Sequence, residues 1–527
     1  MNKRLFGRTA AATAPAPNTK NLAGGVAYSR SAEDALTQYA VTGSFNGTYY
    51  MTDKQELTTL KALADKVGSE YIAKLAVYSR KNAFRKDTPA ALLCILTARK
   101  EYALLGKIFY TVVDNGKMLR NYVGFIRSGQ FGVTHLGNLP KRLVRGWLHH
   151  RSDEALFRDS VGNSPSIADV IKLAHPRPAD LTRDSFYGYL LGKLDMEEYG
   201  KELPLIVQEY EAWKASGGHD GAGSVPNVEF RLLTGVEGLH QDVWTKIAAD
   251  APWHATRMNL NTFHRHGVFN DPAMVDLVAA KLVDKVAIQR SKVYPQQILM
   301  AANHVVPEMP TEIKRALNKA ADLAMDNVPD FGGLKVGVIV DVSGSMGSGL
   351  TTGSPLSQAS ALAAGMVYKN KDARLIAVDT AVHHPAYDPD GSVIGIAKVL
   401  SQYRGGGTDL GAGLRYFHGK PVDVVVIFSD NESWYRDGGY NYGYLSGKNS
   451  AYMEAWQTIR KQNPNAKLIC VDLTPSSTTS APDSRALGVI NIGGFSDAIF
   501  DVATAWGTGM VDSMVDVVAG ITLQEVL

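Results

Sequence analysis

Apolar positions recur at two different spacings along this chain of 527 residues. From about Asp53 to Asp330 they return at the three- and four-residue intervals of amphipathic helices, in segments separated by Gly, Pro or Asn. Examples are LTTLKALADKVG, AALLCILTARK, KRLVRGWLHH, IADVIKLAH, PAMVDLVAAKLVDKVAIQR and EIKRALNKAADLAM. Six prolines stand near the starts of such segments, where a missing amide proton costs least: Pro89, Pro140, Pro165, Pro272, Pro295 and Pro310. The pattern predicts roughly a dozen short helices stacked as antiparallel pairs of the HEAT or armadillo kind.

After the spacer DNVPDFGGL the pattern changes to short β-rich runs that alternate with helical stretches. The runs are KVGVIVDV, ARLIAVDT, DVVVIFSD, KLICVDLT and VINIGG, and the helical stretches are SQASALAAGMVYKN, IGIAKVLSQYR, LGAGLRYF, AYMEAWQTIRKQ and DAIFDVATAW. This alternation predicts a doubly wound, Rossmann-like α/β domain, a parallel sheet with helices on both faces. In such folds a ligand binds at the carboxyl ends of the strands. We therefore predict a flexible segment over 1–20, a helical-repeat domain over 21–330 and an α/β domain over 331–527.

Charge is distributed unevenly between these two parts. The first 150 residues hold 22 Lys+Arg against 9 Asp+Glu, whereas residues 331–527 hold 14 against 18. Ten of the thirteen histidines also precede residue 331. The excess predicts that the helical part contacts a polyanion, and the alternative is an ordinary solvated basic surface.

The remaining composition points to a cytoplasmic protein. Cys94 and Cys470 are far apart in dissimilar contexts, which argues against a disulfide framework and against a cysteine-based zinc site. The amino terminus lacks the apolar stretch of a signal peptide, and no later stretch approaches the length of a membrane span. We therefore expect a reducing compartment and no membrane association.

Oxygen-bearing side chains follow three of the predicted strands. DVSGSM places Asp341, Ser343 and Ser345 at the end of the first strand, RGGGTDL offers Thr408 before a helix, and VVVIFSD ends in Asp430. Any one of these residues is typical of a helix cap or an Asx turn. Together they form a hard-oxygen set that suits Mg²⁺ first and Mn²⁺ second. Five protein oxygens would leave at least one octahedral position open to an outside ligand.

The set resembles the metal-ion-dependent adhesion site of von Willebrand factor A domains, because DVSGSM, GGGTDL and FSD match its pattern. That resemblance implies that a carboxylate from a protein partner takes the open position. No G-x-S-x-G elbow, P-loop or second metal cluster accompanies the set, so binding is favoured over catalysis. Glu432 follows closely and is interpreted as a loop charge rather than a ligand.

The helical part carries NLAGGVAY, VTGSFNGTYYMT, FIRSGQFG, LPKRLVRGWL, IKLAHPRP and YPQQILMA in that order. These segments resemble the successive signatures of the TROVE module. A TROVE module followed by a von Willebrand A-like domain is the layout of the Ro ribonucleoprotein autoantigen family, including its bacterial members. The resemblance covers residues 20–527.

The resemblance implies a ring of helical repeats whose two ends are joined by the A-like domain. Small structured noncoding RNAs called Y RNAs would bind the outer surface, and the 3′ ends of misfolded or aberrant RNAs would enter the central hole. The expected role is noncoding RNA quality control or processing, with presentation of RNA to an exoribonuclease as one form of it. The protein is not expected to cut RNA itself.

Three basic clusters suit phosphate binding, and the alternative for each is a solvated helix face. They are Arg80, Lys81, Arg85 and Lys86; Arg120, Arg127, Lys141, Arg142, Arg145, His149 and His150; and Arg158, Lys172, His175 and Arg177. Tyr122, Phe125 and Trp147 lie among them, and core packing is favoured over base stacking for all three. The family pattern implies that His175 contacts Y RNA. Position 162, where vertebrate members carry a basic residue, is glycine here.

A further candidate segment is APWHATRMNLNTFHRHG. The family places an R-N-L type helix here near the ring interior, which implies RNA contacts for Arg257 and Asn259, although this chain reads M-N-L. Zinc is disfavoured despite the histidines, because His264 and His266 are two residues apart and diverge on a helix. Two other functions stay open from the sequence: a metal-dependent protein-interaction scaffold without a primary RNA role, and a metal-dependent enzyme. RNA binding should be far more sensitive to salt than a protein scaffold.

Overall fold

The computed structural model describes residues 13–42, 53–162, 164–218, 225–291, 293, 295–327, 331–347, 354–436, 439–440, 450–474, 476–493, 506 and 513–523. The chain forms two compact units. We call them the sheet unit, with residues from 1–67, 292–304 and 318–521, and the helical unit, with residues from 68–291, 305–317 and 522–527. Within the described ranges no helix has the length and apolar character needed to cross a bilayer.

The chain begins with a hairpin and two helices in the sheet unit. The elements are β1 (Thr19–Lys20), β2 (Val26–Ser29), α1 (Ala32–Thr42) and α2 (Asp53–Ala64). β1 pairs antiparallel with β2, with Thr19 opposite Ala27, although flexible chain was expected through residue 20. α1 packs on the sheet of this unit, although residues 21–330 were expected to form one helical domain.

The helical unit begins at α3 and consists of short helices in series. They are α3 (Ser69–Lys81), α4 (Asp87–Ala98), α5 (Tyr102–Val112), α6 (Gly116–Arg127), α7 (Asn138–His150), α8 (Asp153–Ser160), α9 (Ile167–Ala174), α10 (Leu181–Leu190), α11 (Met196–Tyr199), α12 (Leu205–Ala215), α13 (Phe230–Thr234), α14 (Gln241–Asp250), α15 (Trp253–Met258), α16 (Leu260–Arg265), α17 (Pro272–Leu282) and α18 (Lys285–Ser291). The described residues between 53 and 327 contain no strand, which confirms the predicted all-helical region.

Packing in this unit follows the amphipathic stripes. α3 packs on α4 and α5, α4 on α6, α5 on α7, and α6 on α8 and α9, so each stripe is covered by helices close in sequence. Local caps set the boundaries: Asn115 accepts a hydrogen bond from the Met118 amide at 3.1 Å to start α6, and Ser166 forms a capping box with Asp169 at α9.

Two further helices lead to the sheet: α19 (Pro295–His304) in the sheet unit and α20 (Thr311–Leu323). The segment from Pro272 to Arg290, which reads as one helical stretch, forms two helices that break at Val283.

The sheet contains the five predicted strands and one more. From residue 336 onward the sheet unit contains β3 (Val336–Asp341), α21 (Pro355–Lys369), β4 (Arg374–Val378), β5 (Val382–His383), α22 (Val393–Ser401), α23 (Leu410–Tyr416), β6 (Val424–Ser429), β7 (Tyr435–Arg436), β8 (Gly439–Tyr440), α24 (Ala451–Gln462), β9 (Lys467–Asp472), β10 (Thr478–Thr479), β11 (Val489–Gly493) and α25 (Met514–Ala519). Strands β7, β8 and β10 lie outside the six-stranded sheet. The order is β11-β9-β6-β3-β4-β5, parallel throughout except for β5. The predicted doubly wound α/β fold is confirmed. The predicted helix DAIFDVATAW lies outside the described residues except for Trp506.

Helices cover the sheet, and its two central strands, β3 and β6, are buried along their whole length, while β9 is buried at every residue except Lys467. α23 and α24 bury Leu414 and Trp456 against Ile339 and Val425, while α21 packs on β3, β4 and β6. β3 and β6, at the centre of the sheet, therefore end side by side, which places Asp341 and the residues after Ser429 at one edge.

Candidate metal centre and basic cavity

The loop after β3 carries three of the five predicted metal ligands. Asp341 ends the strand, and its Oδ1 accepts a hydrogen bond from the Ser343 amide at 2.9 Å. The Ser343 and Ser345 hydroxyl oxygens lie 3.3 Å apart. Asp341 and Ser343 are buried and Ser345 is half-buried, so the turn directs all three oxygens inward from the edge of the sheet.

Backbone hydrogen bonds join this loop to the glycine-rich loop that precedes α23. The Gly405 amide donates to the Val342 carbonyl at 2.9 Å, and the Gly344 amide donates to the Gly406 carbonyl at 3.0 Å. A Cβ at position 405 would lie 2.6 Å from the Val342 carbonyl oxygen, so only glycine permits this approach. The pairing brings the buried side chain of Thr408 to the same edge.

The loop after β6 completes the set. The Ser429 hydroxyl donates to Asp341 Oδ2 at 2.6 Å, and the Trp434 amide donates to the Thr408 carbonyl at 3.1 Å. Asp430, between these two links, is 2% exposed. The three loops that carry the predicted ligands are therefore tied together.

The donor set fits a small divalent cation. Asp430 Oδ2 is buried and has no hydrogen-bond partner among the described residues. Burial, and then the nearby charge of Asp430, raises the pKa of Asp341 to about 7. Burial also raises the pKa of Asp430, against hydrogen bonds from the Ser345 hydroxyl and the Glu432 amide. Two buried carboxylates flanked by hydroxyls are costly to ionise alone, and a cation would offset that cost.

The part of the chain that the structure describes holds no cluster of three or more His, Cys, Asp or Glu side chains suited to a metal. The edge of the sheet is a different donor class, since hydroxyls supply three of its five oxygens. In the histidine-rich segment the His266 ring stacks on Trp244 at 4.0 Å, while His264 faces Phe269 at 6.4 Å.

Glu432 differs from its expected role as a loop charge. Its side chain is 2% exposed, and its Oε2 accepts a hydrogen bond from the Ala23 amide at 3.1 Å. Burial raises the pKa of Glu432 to about 8. No local pattern indicates this contact, because the two residues are 409 positions apart in the chain.

In the helical unit, cationic side chains from all three predicted basic clusters line one cavity of about 590 Å³. Lys86, Arg120 and Arg158 were predicted, and Lys117 and Arg231 join them. The cavity also contains two carboxylates. Asp159 is paired with Arg151 at 2.6 Å, and Glu229 accepts the Arg231 amide at 2.6 Å. Five cations against two engaged carboxylates make the cavity strongly electropositive.

Close helix packing shapes this cavity. A Cβ at Gly116 would lie 2.5 Å from Asp159 Cβ, and one at Gly124 would lie 3.2 Å from Pro165 Cδ, so α6 approaches the end of α8 and the start of α9 at its glycines. The Arg120 guanidinium is held by its Nη1, which donates to the Val161 carbonyl at 2.6 Å. Burial lowers the pKa of Arg120, and Asp159 counteracts this effect.

Both parts of the chain are similar to known proteins. Residues 335–506 match the model of the Ro60 vWA domain family. The RNA-binding protein RO60 of Deinococcus radiodurans is 24% identical over 526 residues, which cover 93% of this chain and 96% of the relative. The crystal structure of the Deinococcus radiodurans RO (RSR) protein superposes with a TM-score of 0.60 at 21% identity, covering 91% of this chain and all of the other. Residues 335–506 therefore carry a domain of the Ro60 vWA type, and the chain is similar to RO60 over most of its length.

A second basic surface follows α7 and the end of α9. Its members are the exposed or half-exposed Lys141, Arg142, Arg145, His149, Lys172, His175 and Arg177. Arg145 Nε donates to the Ala174 carbonyl at 2.6 Å, which brings α7 beside His175. His175 is in the left-handed conformation at φ 51°, where it ends α9 and is exposed to solvent. The structure therefore joins parts of the second and third predicted clusters.

Gly162 explains a departure from the family pattern. Its φ of 145° lies in the region that favours glycine, and a Cβ there would lie 2.0 Å from Arg120 Nη1. The Arg120 guanidinium therefore occupies the space that a side chain at position 162 would need. The positive charge next to position 162 is therefore that of Arg120 on α6.

Arg80, Lys81 and Arg257 were also predicted to contact RNA, and each is either paired with a carboxylate or buried. Arg80 and Lys81 both pair with Asp114, at 2.8 Å and 3.1 Å, which offsets much of their charge. Arg257 is 6% exposed and lies over the Trp253 ring, and burial lowers its pKa to about 10, so it differs from the accessible RNA contact that was expected.

RNA contacts were also predicted for Asn259, Arg85 and Arg127. Asn259 Nδ2 donates to the Ala255 carbonyl at 2.8 Å between α15 and α16. Arg85 is half-buried near the start of α4, and Arg127 is exposed at the end of α6. Neither arginine lines the cavity.

The aromatic residues divide into two groups. Tyr122 and Trp147 are buried, and their polar atoms are engaged with Thr97 and the Val113 carbonyl, as core packing predicts. Phe125 is half-buried, packs edge-to-face on Phe131 with the ring centroids 5.8 Å apart, and also lines the basic cavity.

Proposed function

We propose that this chain binds RNA through the basic cavity of its helical unit. The observation that carries the proposal is the convergence of Lys86, Lys117, Arg120, Arg158 and Arg231 on one cavity that Phe125 also lines. Phosphates need clustered cations, and single-stranded RNA adds a requirement for stacking partners. The name of the similar Deinococcus radiodurans protein, RNA-binding protein RO60, supports the same class of ligand.

The finer form of the proposal names the RNA. Small structured noncoding RNAs of the Y RNA type would bind the cavity and the α7–α9 surface through their phosphates. The 3′ ends of misfolded RNAs would enter the ring that the family resemblance implies, and the ring itself is part of this proposal. The chain would bind RNA without cutting it, act in RNA quality control in the cytoplasm, and present RNA to an exoribonuclease.

The sheet unit would serve a separate purpose. Asp341, Ser343, Ser345, Thr408 and Asp430 would hold Mg²⁺, with Mn²⁺ as a substitute, and the cation would supply an open position for a partner's carboxylate. Asp430 Oδ2, which has no hydrogen-bond partner among the described residues, and the all-oxygen donor set support this assignment. No catalytic role is assigned to the site.

Salt titration separates RNA binding from a protein-scaffold role. The affinity of the purified chain for a fluorescein-labelled stem-loop RNA is measured by anisotropy over a range of KCl concentrations. Five neutralised phosphates would give a logarithmic salt slope of roughly −3.5 to −4.5. A chain that fails to bind RNA in dilute buffer, or binds it with no salt dependence, would contradict the proposal.

The metal assignment is tested separately with Mn²⁺, whose free form is counted by electron paramagnetic resonance. Asp341→Ala should abolish binding, whereas Asp390→Ala, at a carboxylate in the same unit that is 92% exposed, should retain it. RNA affinity should be the same in both variants, because the cavity belongs to the helical unit. Equal Mn²⁺ binding by Asp341→Ala and the wild type would remove this site from the account.

A further inference from the structure

The amino-terminal hairpin, residues 19–29, lies directly against the loop 429–434 that carries Asp430. Asn21 Nδ2 donates to the Ser433 carbonyl at 2.9 Å, and the Ala23 amide donates to Glu432 Oε2 at 3.1 Å. A Cβ at Gly25 would lie 2.1 Å from the Ser433 carbonyl oxygen. The hairpin therefore contacts Glu432 and Ser433, which follow Asp430 closely in the loop.

A buried ion pair next to the hairpin holds a third residue of the same loop. Arg30 Nη2 contacts Asp472 Oδ2 at 2.6 Å, and both side chains are at most 1% exposed. Asn431 Nδ2 lies 3.3 Å from the same carboxylate oxygen and donates to Thr479 Oγ1 at 3.0 Å. Thr479 belongs to β10, which pairs with β2 of the hairpin. Asn431 is thus held by Asp472, which Arg30 contacts, and by Thr479, which lies opposite Tyr28 of the hairpin.

Asn431 adopts a conformation that needs such support. Its φ is 64°, in the left-handed region, immediately after the ligand Asp430. Its side-chain Oδ1 accepts the Ser480 amide at 3.1 Å, and its carbonyl accepts the Ser480 hydroxyl at 2.9 Å. Contacts from outside the loop therefore support the backbone turn that follows Asp430, in addition to the bond from the Asn431 amide to Ser429 Oγ at 2.8 Å within the loop.

The loop is also attached to the second ligand-bearing segment. The Trp434 amide donates to the Thr408 carbonyl at 3.1 Å, and the Leu410 amide donates to Ser433 Oγ at 3.3 Å. Ser433, which Asn21 holds from one side, thus connects Asp430 to the segment of Thr408. A displacement of the hairpin would be transmitted to both ligands.

We infer that the amino-terminal hairpin is the positioning element of the metal centre, with Asn21 and Arg30 as positioning residues, so that cation affinity depends on the hairpin being docked. This inference rests on the proposed metal site. It makes a segment more than 300 residues before the first ligand a part of that site's structure. By reciprocity, a bound cation stabilises the docked hairpin by the same factor.

The test uses full-length protein and Mn²⁺ alone, with the free ion counted by electron paramagnetic resonance. Asn21→Ala removes the hydrogen bond to Ser433, together with the one that Asn21 Oδ1 accepts from the Gly25 amide at 2.7 Å, and should weaken Mn²⁺ binding by about two- to tenfold. The matched control is Asn18→Ala, at the residue immediately before the hairpin. Among the described residues the Asn18 side chain forms hydrogen bonds only with Ser29: its Nδ2 donates to Ser29 Oγ and its Oδ1 accepts from the Ser29 amide, both at 2.8 Å. The Mn²⁺ affinity should therefore change by less than about twofold.

The outcomes separate the two claims. A wild-type chain that binds no Mn²⁺ would overturn the metal centre itself. A wild-type chain that binds Mn²⁺ with the same affinity as Asn21→Ala would overturn only the coupling. Equal losses in Asn21→Ala and Asn18→Ala would also overturn the assignment of Asn21, because loosening the hairpin in general would then explain the effect.

A second measurement needs no variant and so does not depend on how a substitution folds. Amide hydrogen exchange of the wild-type protein is followed with and without Mn²⁺. Peptides covering residues 19–30 should exchange more slowly with Mn²⁺, together with those covering 429–434, whereas peptides from α3 to α5 should be unchanged. Protection of 429–434 without protection of 19–30 would contradict the inference.

Discussion

Replacing three cavity cations together, as Lys117→Gln, Arg158→Gln and Arg231→Gln, should weaken RNA binding and reduce its salt dependence. These three side chains were chosen because they line the cavity, are exposed, and have no ion pair within the described ranges. Arg120 is left in place, since its bond to the Val161 carbonyl gives it a structural role. Glutamine keeps a polar side chain of moderate length, so the change is chiefly one of charge.

The expected size follows from counterion release. Each phosphate neutralised contributes about 0.7 to 0.9 to the logarithmic salt slope, so three lost contacts should flatten it by about 2.1 to 2.7. If the salt slope of the variant is flatter by about 2.7, raising the salt from 50 to 200 mM lowers its RNA affinity by a factor about fortyfold smaller than the factor for the wild type.

The assay is anisotropy with one stem-loop RNA at several KCl concentrations, applied to the wild type, the cavity triple variant and a charge-matched control. The control is Lys193→Gln, Lys201→Gln and Lys246→Gln, which removes three exposed lysines of the same unit outside the cavity. Circular dichroism confirms that all three proteins are folded. Equal salt slopes for the cavity variant and the control would refute the assignment, because charge alone would then explain the loss.

Three further predictions concern the second basic surface, the packing of Arg120 and the role of the metal. Neutralising Lys141, Arg142 and Arg145 together should weaken structured-RNA binding and flatten its salt dependence, and unchanged binding in a filter titration would remove this surface from the account. Gly162→Ala should destabilise the helical unit by about 1–3 kcal/mol in thermal unfolding and weaken RNA binding, because its Cβ would collide with the Arg120 guanidinium; a variant with wild-type stability and affinity would contradict this. EDTA should leave the helical circular dichroism signal intact, since the described helical core contains no ligand set, and loss of that signal on chelation would be contrary evidence.

The strands and most of the helices could be predicted because local pattern determines them. Strands such as Val424–Ser429 are buried along their whole length, so they appear as uninterrupted β-branched runs. The amphipathic stripes of α6 and α7 appear equally clearly at helical spacing. β1 spans only two residues, too few to show an alternation, and its position depends on pairing with β2.

The position of the five predicted metal ligands at one edge of the sheet could be predicted from the sequence, because parallel strands end at one edge and each of these residues follows a strand or precedes a helix there. The cavity could be predicted only in part. Lys117 is three residues before Arg120 on α6, a helical spacing that could have revealed it. Arg231 reaches the cavity only through tertiary packing, and the burial of Arg257 against Trp253 likewise has no local signal.

The central claim, that RNA occupies the basic cavity of the helical unit, is tested most directly by photo-crosslinking. A stem-loop RNA with a single-stranded 3′ end and 4-thiouridine is irradiated with the wild-type protein, and the crosslinked peptides are identified by mass spectrometry. The account predicts crosslinks in the peptides that contain Phe125 and residues 158–162, with competition by unlabelled RNA. Crosslinks confined to peptides outside the cavity, or to the sheet unit, would contradict it.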